Sequence, residues 1–191
     1  MDPLSGVFAA FGLAASAGLN AYIPMLTLAI LARFTNLITL TPPWDALTSW
    51  WVIATLIVLS AVEFFADKVP AVNHANDVIQ TFVRPVAGAI AFAASAHVIT
   101  DVSPVLSVIA GLFIATGVHA AKSVVVRPVV TATTGGVGNV PVSMAEDITA
   151  TIISVMAIVV PVLFACILIV VTAYIVWLLW RRANAQKRSE V

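Results

Sequence analysis

Charged residues are scarce in this chain, and their scarcity indicates its class. Only 9% of its 191 residues are charged, whereas a soluble domain usually carries about 25%. So few charges cannot cover a water-facing surface, and the mean hydropathy is +1.08. We therefore expect an all-α, polytopic transmembrane helical bundle, covered mainly by lipid, as a multi-pass protein of the cell's inner (plasma) membrane.

Other absences narrow the functional classes. A single cysteine, Cys166, excludes an intramolecular disulfide. The first residues lack the basic region of a signal peptide, so we expect the first apolar run to stay in the mature protein. The chain has no HExxH, no GxSxG and no Cys/His cluster, although Glu63, His74, Asp77 and His119 could meet around a metal. We expect no enzyme activity, no cofactor and no bound metal.

Five apolar runs are long enough, or nearly so, to cross a membrane, which takes about 20 residues. The first and last runs are too long for one straight helix, and Pro24 and Pro161 interrupt them. We expect kinks or breaks at these prolines, and a short third run that its neighbours must bury. The runs cover residues 4–34, 49–66, 85–100, 104–126 and 148–180.

Three polar segments connect these runs. Residues 35–48 carry Trp44, an aromatic suited to the membrane interface. Residues 67–84 are predicted to form a loop and then a short amphipathic helix, interfacial or re-entrant. Residues 127–143 are rich in Thr and Gly, and either make a tight re-entrant turn or direct backbone amides toward an anion. Ser143 is predicted to cap a helix that has Glu146 at its third position.

Most charged residues before residue 181 fall in two polar windows. Charge at membrane depth costs about 2.5–3.5 kcal/mol per residue, so it normally faces the bundle interior in pairs. Glu63 and Asp67 are spaced i, i+4, and His119 and Lys122 are spaced i, i+3, so we expect all four to face one another. The candidate ion- or solute-binding residues are Glu63, Asp67, Lys68, Asp77 and Arg84 in the first window, and His119, Lys122, Arg127, Asn139, Glu146 and Asp147 in the second.

Two interpretations of these windows stay open. In one they form a structural ion-pair network, in which Glu63 or Asp67 pairs with Lys122 or Arg127, and Arg84 pairs with Glu146 or Asp147. In the other the same network also lines a polar cavity for an ion or a small polar solute, since buried ionisable residues commonly mark such sites.

We expect one transmembrane domain over residues 1–180 and a basic tail over residues 181–191. Beside an apolar run, such a tail is typical of a topology anchor rather than of nucleic-acid binding. Five spans place the tail in the cytoplasm and the two windows on the other side. Six spans, with the last run split at Pro161, place the windows on the tail's side. The positive-inside rule favours six, but Pro161 has no polar turn around it, and we prefer five.

Two parts of the chain resemble each other. Residues 66–68 precede Arg84-Pro85, and residues 120–122 precede Arg127-Pro128. Residues 12–17 also echo residues 91–96. The pattern fits an internal repeat of two helices and a polar segment, or chance recurrence of small residues. In transporters, binding sites often lie between repeats.

A longer string of residues resembles a known family. It comprises residues 17–24, Glu63, residues 66–70, Asp77, Arg84-Pro85, Gly88, His119, Lys122, Arg127, Gly138-Asn139, Ser143 and Glu146-Asp147. Over residues 10–160 the chain resembles a bacterial family of small membrane proteins, labelled as domain of unknown function 4126. It differs at Asn20 and Asn73, where many members carry a basic and an acidic residue. The resemblance implies an integral membrane protein and no established reaction.

These patterns together favour a channel- or transporter-like protein with an intramembrane site for an ion or small polar solute. Its expected partners are that solute and membrane lipids, with a homo-oligomer left open and no nucleic acid. The alternative is a membrane scaffold or lipid-binding protein whose charges are structural. An intramembrane enzyme acting on a lipid headgroup comes third, since no pair of nucleophile and base is recognisable.

Overall fold

The computed structural model describes residues 3–68, 70–96, 103–160, 167, 169–177 and 180–181, and within them every regular element is helical. A 3₁₀ turn, Trp44–Thr48, precedes α3, and a π-helical turn, Ala121–Val126, joins α5 to α6. The predicted all-α class is confirmed. The helices are α1 (Pro3–Leu19), α2 (Tyr22–Phe34), α3 (Trp50–Ala66), α4 (Pro70–Ala96), α5 (Pro104–Ala120), α6 (Arg127–Thr134) and α7 (Asn139–Val159).

Three helical stretches in the described part are long and apolar enough to cross a membrane: Asn76–Ala96, Pro104–Thr134 and Asn139–Val159. The helices Gly6–Leu19, Tyr22–Phe34 and Trp50–Ala66 are also apolar but shorter. Large apolar side chains are widely exposed on the outer faces, as at Trp51 (86%) and Phe113 (69%). Such a surface suits lipid rather than water, which indicates a membrane protein.

Helix α1 lies in the middle of the bundle and contacts α2, α4, α5 and α7. Its inner residues are mostly alanines, and Ala9, Ala10, Leu13, Ala14 and Ala17 have no exposed surface. Small side chains let helix backbones approach closely, which is the main source of attraction between helices in lipid. The described part of the third apolar run is largely buried in the same way, as its shortness predicted, with Ala91 and Ala94 almost fully covered.

Glycines mark the closest approach of α1, α4 and α5. A Cβ added at Gly88 would lie 2.3 Å from the Cβ of Ala115, and one at Gly111 would lie 2.3 Å from the carbonyl oxygen of Gly88. A Cβ at Gly18 would lie 2.6 Å from the Ala115 carbonyl oxygen. No larger residue fits without moving a helix. We call Gly18, Gly88, Gly111 and Ala115 the glycine seam.

The first long run is broken, as predicted. Helix α1 ends at Leu19 and α2 begins at Tyr22, so Pro24 lies in the first turn of α2, where its missing N–H costs no helical hydrogen bond. The side-chain oxygen of Asn20 accepts the backbone N–H groups of Tyr22 (3.1 Å) and Ile23 (3.0 Å) and so caps α2. Pro161 lies outside the described residues, and α7 ends two residues before it.

The predicted loop and separate short helix over residues 67–84 is wrong. Helix α4 runs unbroken from Pro70 to Ala96 with Pro85 inside it, so the amphipathic segment is the first half of a long helix. Pro85 removes the hydrogen bond to the Thr81 carbonyl, but the extensive packing of α1 and α5 on α4 compensates for that loss. The helix that contains the short third run therefore extends beyond it on the N-terminal side.

Residues 127–143, which were predicted to form a loop or turn, are also mostly helical. Only residues 135–138 turn the chain between α6 and α7, and Gly135 (φ +63°) and Gly136 (φ +91°) adopt the left-handed conformations that favour glycine. Ser143 does not cap a helix, because α7 begins four residues earlier at Asn139. Glu146 is consequently an interior residue of α7 and not part of a capping box.

Candidate functional site

A π-helical turn positions the bases of the second window. Pro128 has no N–H for the usual helical bond, and the backbone N–H of Arg127 bonds the Lys122 carbonyl five residues back. The widened turn leaves Lys122 (4% exposed) and Arg127 (8% exposed) both facing the interior. Single π turns inside helices frequently occur at functional sites.

Two acids from α3 each meet an arginine that precedes a proline. Glu63 lies in the last turn of α3 and Asp67 follows its end, and both are buried. Glu63 Oε1 accepts from Arg84 Nη2 at 2.9 Å, and Asp67 Oδ2 accepts from Arg127 Nη2 at 3.4 Å. The Asp67–Arg127 pair confirms the predicted contact between the two windows.

Glu146 connects the two bases of the second window. Its Oε2 accepts from Lys122 Nζ at 2.8 Å and from Arg127 Nη2 at 2.9 Å. Arg127 Nη2 is therefore shared between Glu146 and Asp67. Asp67 in turn accepts from Ser143 Oγ (3.1 Å) and Asn76 Nδ2 (2.7 Å). Glu146 Oε2 and Arg127 Nη2 therefore each bind two partners at once.

Asp147 forms the edge of the same cluster. Its Oδ2 lies 3.6 Å from Lys68 Nζ, and its Oδ1 accepts from Asn20 Nδ2 at 3.0 Å. The predicted pairing of Arg84 with Glu146 or Asp147 is wrong, because α4 places Arg84 against Glu63, and bases from other segments occupy the two α7 acids. We call the eight paired residues the polar network: Glu63, Asp67, Lys68, Arg84, Lys122, Arg127, Glu146 and Asp147.

His119 extends the polar network on the α5 side. Its Nδ1 lies 3.0 Å from Arg84 Nη1. A guanidinium group can only donate, so Nδ1 accepts and the ring proton is on Nε2. Nε2 lies 3.2 Å from Thr81 Oγ1, whose own hydroxyl donates to the Asp77 carbonyl at 2.8 Å. These directions together assign His119 as a neutral imidazole, protonated on Nε2.

The polar network is balanced in charge but incomplete in hydrogen bonds. Its five ion pairs join four acids with four bases. Six buried atoms of these residues nevertheless have no hydrogen-bond partner in the described part of the chain: Glu63 Oε2, Arg84 Nε, Arg127 Nε and Nη1, Glu146 Oε1 and Asp147 Oδ2. A buried polar atom left unsatisfied costs about 1–3 kcal/mol, so the network can gain from a further polar partner.

The ionisation of Asp67 follows from the charges around it. Burial on its own would raise the pKa of this carboxyl, but the positive charges of Lys122 and Arg84 outweigh burial, and the hydrogen bond from Asn76 acts in the same direction. The pKa of Asp67 consequently lies below its usual range, and the side chain is a carboxylate at physiological pH.

Two predicted site residues lie apart from the polar network. Asp77 is half-buried, and its side chain makes no ion pair with any described residue. Asn139 is bonded to Thr131, with Asn139 Nδ2 at 2.9 Å from Thr131 Oγ1, and this contact ties the two helices together beside the glycine turn. The side chain of His74 lies outside the described residues, and the described part contains no group of three or more potential metal ligands.

Four uncharged residues of the site were not predicted as site residues: Asn20, Asn76, Thr81 and Ser143. Asn20 carried a usable signal, since an asparagine just before an apolar helix commonly caps it. Nothing in the local sequence indicated the other three.

The fold and the site define a helical membrane protein with a charge-balanced cluster of ion pairs buried between its helices. The chain belongs to the family described as Domain of unknown function (DUF4126), whose model matches residues 7–181. No curated protein and no solved structure matches the chain. The family description assigns no activity, so any function has to be argued from the site itself.

Proposed function

We propose that this protein is a channel- or carrier-like transport protein, and that the polar network is its binding site for an ion or a small polar solute. The observation that supports this proposal is the set of six buried atoms that have no hydrogen-bond partner among the described residues, in a network whose charges are already balanced. These atoms offer both donors and acceptors, so a polar solute could bind without bringing a compensating charge.

A purely structural network would be expected to differ in this respect. Burying ion pairs costs several kcal/mol per ion, and good geometry with every hydrogen bond satisfied is needed to offset that cost. Here Arg127 leaves Nε and Nη1 without a hydrogen-bond partner in the described ranges, and its 3.4 Å contact with Asp67 is long. The network is thus better suited to exchanging partners than to fixing the fold.

Shared atoms provide a way for partners to exchange. Glu146 Oε2 holds both Lys122 and Arg127, and Arg127 Nη2 holds both Glu146 and Asp67. A solute that displaces the contact between Arg127 and Glu146 leaves Arg127 paired with Asp67 and Glu146 paired with Lys122, so neither charge becomes isolated. Small shifts of α6 relative to α3 or α7 would then suffice to release the solute.

Flux measured in proteoliposomes tests this proposal. Proton flux reported by entrapped pyranine, conductance to KCl and light-scattering uptake of glycerol cover the three simplest solute types. We expect flux above that of empty liposomes for at least one probe, and its loss in Glu63→Gln and Asp67→Asn. Asp45→Asn is the matched control, since Asp45 is an exposed carboxylate in the turn before α3. Normal flux in a folded Glu63→Gln protein would contradict the proposal.

A scaffold or lipid-binding role is the second candidate, and the equal number of acids and bases favours it. Under that role the charges are needed only by one another. No tested solute would then show flux in the unaltered protein, whereas the stability of a Glu63→Leu/Arg84→Met double variant would be kept under either role.

The finer topology belongs to the same proposal. We place the protein in the inner (plasma) membrane with five spans and a cytoplasmic C-terminus, and we assign it no enzymatic role. Reporter fusions that end at residue 136 and at residue 191, one reporter active only in the cytoplasm and one only outside it, distinguish five spans from six, because five spans place the two positions on opposite sides and six place both in the cytoplasm. A C-terminus outside the cytoplasm would contradict this orientation.

A further inference from the structure

Gln80 is a buried polar residue of α4 that does not belong to the polar network. Its side chain makes no ion pair, and the residue is 2% exposed. Its side-chain oxygen, Oε1, has no hydrogen-bond partner among the described residues. Buried amide oxygens nearly always have a partner, so the position of this one needs an explanation.

Two side-chain contacts between α3 and α4 show which residues Gln80 faces. Asn76 donates to Asp67, which directly follows α3, and Arg84 donates to Glu63. The two helices are therefore antiparallel where they meet. Gln80 lies one helical turn after Asn76 and one turn before Arg84, on the same face of α4. Its side chain consequently faces the stretch of α3 between Glu63 and Asp67.

Oxygen acceptors are in surplus where these two helices meet. The buried atoms without a hydrogen-bond partner there are Gln80 Oε1, Glu63 Oε2 and Ser60 Oγ, and Ser60 lies one turn before Glu63 on α3. Within the described ranges, Arg84 Nε is the one donor that α3 and α4 leave in the same state. Carboxylate, amide and hydroxyl oxygens together are the kind of ligands that hard cations prefer.

Asp77 supplies a negative charge that the polar network does not neutralise. It is half-buried and makes no ion pair with any described residue. Its charge nevertheless acts on Arg127, so it belongs to the same electrostatic cluster. The network's four acids and four bases cancel and His119 is neutral, so the carboxylate of Asp77 leaves the cluster with one net negative charge. Such a charge attracts cations and repels anions.

Asp77 also lies on the outer side of Gln80. It is the second residue of Asn76–Ala96, the stretch of α4 that is apolar enough to cross a membrane, and is therefore close to the membrane boundary. Gln80 follows it one turn further into the span. A cation that approaches from the water would thus meet the half-exposed carboxylate first and the buried oxygens second.

We infer that the solute of this protein is a small alkali cation, Na⁺ or K⁺, bound by Gln80, Glu63 and Ser60 with Asp77 at the entrance. This inference rests on the proposed function and names its substrate class. The three oxygens replace part of the water shell of the cation. Arg84 occupies Glu63 Oε1 at 2.9 Å, and Oε2 stays available to the cation.

The melting temperature of the full chain in detergent tests cation binding without requiring flux. A ligand that binds only the folded protein raises the melting temperature as its concentration rises. NaCl or KCl should therefore raise it above the value in choline chloride of equal concentration, which supplies the same anion with a much larger cation. Gln80→Leu should fold, because it removes an unsatisfied oxygen, and should weaken cation binding at least tenfold.

Ser95→Ala is the matched control for Gln80→Leu. Ser95 is also a fully buried polar residue of α4, and its hydroxyl donates to the Ala91 carbonyl of the same helix. It lies about four turns beyond Gln80, away from the proposed cation site. Cation binding by Ser95→Ala should equal that of the unaltered protein.

Substitution of Asp77 tests the entrance, even if Gln80→Leu does not fold. Asp77→Asn should weaken cation binding several-fold, and Asp77→Glu should retain it because the charge is kept. The loss in Asp77→Asn should shrink as choline chloride is added, since salt screens a half-exposed charge. Asp45→Asn, at an exposed carboxylate in the turn before α3, should bind cations like the unaltered protein. A loss in Asp77→Asn that is the same at every salt concentration would contradict a role as the entrance.

Cation binding and solute flux are separate measurements, so their outcomes distinguish this inference from the proposed function. Proteoliposomes that pass glycerol, chloride or protons, with no effect of Na⁺ or K⁺ on the melting temperature, would keep the proposed function and overturn the inference. Undiminished cation binding in folded Gln80→Leu would also overturn it. Cation binding that Gln80→Leu abolishes, without flux of any solute, would support the cation site and refute transport.

Discussion

The glycine seam and the polar network lie one helical turn apart on α4, at Gly88 and Arg84, yet they join helices by different means. In the seam, backbones are in contact and no side chain separates them, so the distance between α4 and α5 has almost no freedom. In the polar network, long side chains bridge the helices, and single atoms serve two partners. One region is held by direct contact between helix backbones, whereas the other is held by side-chain contacts that share atoms.

This difference assigns separate roles to the two regions. A closely packed crossing can act as a fixed point, because interiors of this density do not deform gradually. Beyond it, α3, α6 and α7 meet through ion pairs and hydrogen bonds whose atoms are shared, so we expect these helices to move relative to one another more readily. Substitutions in the seam should therefore affect stability alone, and substitutions in the polar network should affect stability and flux together.

The largest effect is expected for the innermost ion pair. Glu63→Leu leaves the fully buried Arg84 without its acid, and breaking a buried pair in this way costs about 3–5 kcal/mol. Denaturation of the purified protein in detergent measures the loss. Glu63→Leu/Arg84→Met should recover most of it, because neither side chain then carries a buried charge.

Lys68→Gln is the control for this prediction. The Lys68–Asp147 pair is longer, at 3.6 Å, and partly exposed, so its loss should cost at most about 1 kcal/mol. If Glu63→Leu costs no more than Lys68→Gln, Arg84 is not left as an isolated buried charge, and Glu63–Arg84 is not the innermost pair of the polar network.

A smaller effect, without any change of charge, is expected in the glycine seam. Gly88→Ala places a methyl group 2.3 Å from the Cβ of Ala115 and 2.8 Å from the Gly111 carbonyl oxygen. Overpacking of this kind costs about 1–3 kcal/mol. The same denaturation experiment measures it, and any flux per folded protein should be unchanged.

Gly117→Ala provides the matched substitution on α5. A Cβ at Gly117 meets nothing within 4 Å, so the change should be neutral or should stabilise the helix by up to about 1 kcal/mol. Equal losses of stability in Gly88→Ala and Gly117→Ala would show that close packing at the helix crossing does not cause the loss in Gly88→Ala.

The sequence predicts correctly those features of the fold and the site that depend on interactions between residues close together in the chain. Hydropathy predicted the helical membrane class, because each helix must satisfy its own backbone in lipid. The i, i+4 spacing of Glu63 and Asp67 correctly placed both on a buried face, since a helix determines that relation locally. The break before Pro24 was predicted for the same reason.

Predictions that required tertiary contacts were less successful. Pro85 indicates a helix boundary from sequence, and only the packing of α1 and α5 keeps α4 continuous through it. Which base pairs with which acid depends on the depth of each helix in the bundle, so the partner of Arg84 was assigned incorrectly. Ser143 was predicted to cap a helix, but it donates a hydrogen bond to Asp67. This bond joins residues 76 positions apart, so no local pattern indicates it.

The smallest expected effect is a dependence of stability on pH that arises from Asp67 in the polar network. The pKa of Asp67 in the folded protein lies below its usual range, because Lys122 and Arg84 outweigh the effect of burial. A carboxyl with a depressed folded pKa stabilises the fold above its unfolded pKa, which is about 3.9, and loses that contribution as the pH falls through the folded value. The melting temperature of the unaltered protein in detergent should thus exceed that of Asp67→Asn at pH 6, and the difference between the two should narrow below about pH 4.

Asp45→Asn is the control, because Asp45 is an exposed carboxylate that forms no ion pair within the described residues. Its melting temperature should parallel that of the unaltered protein over the whole pH range. A gap that stays constant from pH 6 to pH 3 would mean that Asp67 holds its neighbours by hydrogen bonds alone, and the polar network would then resemble the glycine seam in having one fixed set of contacts.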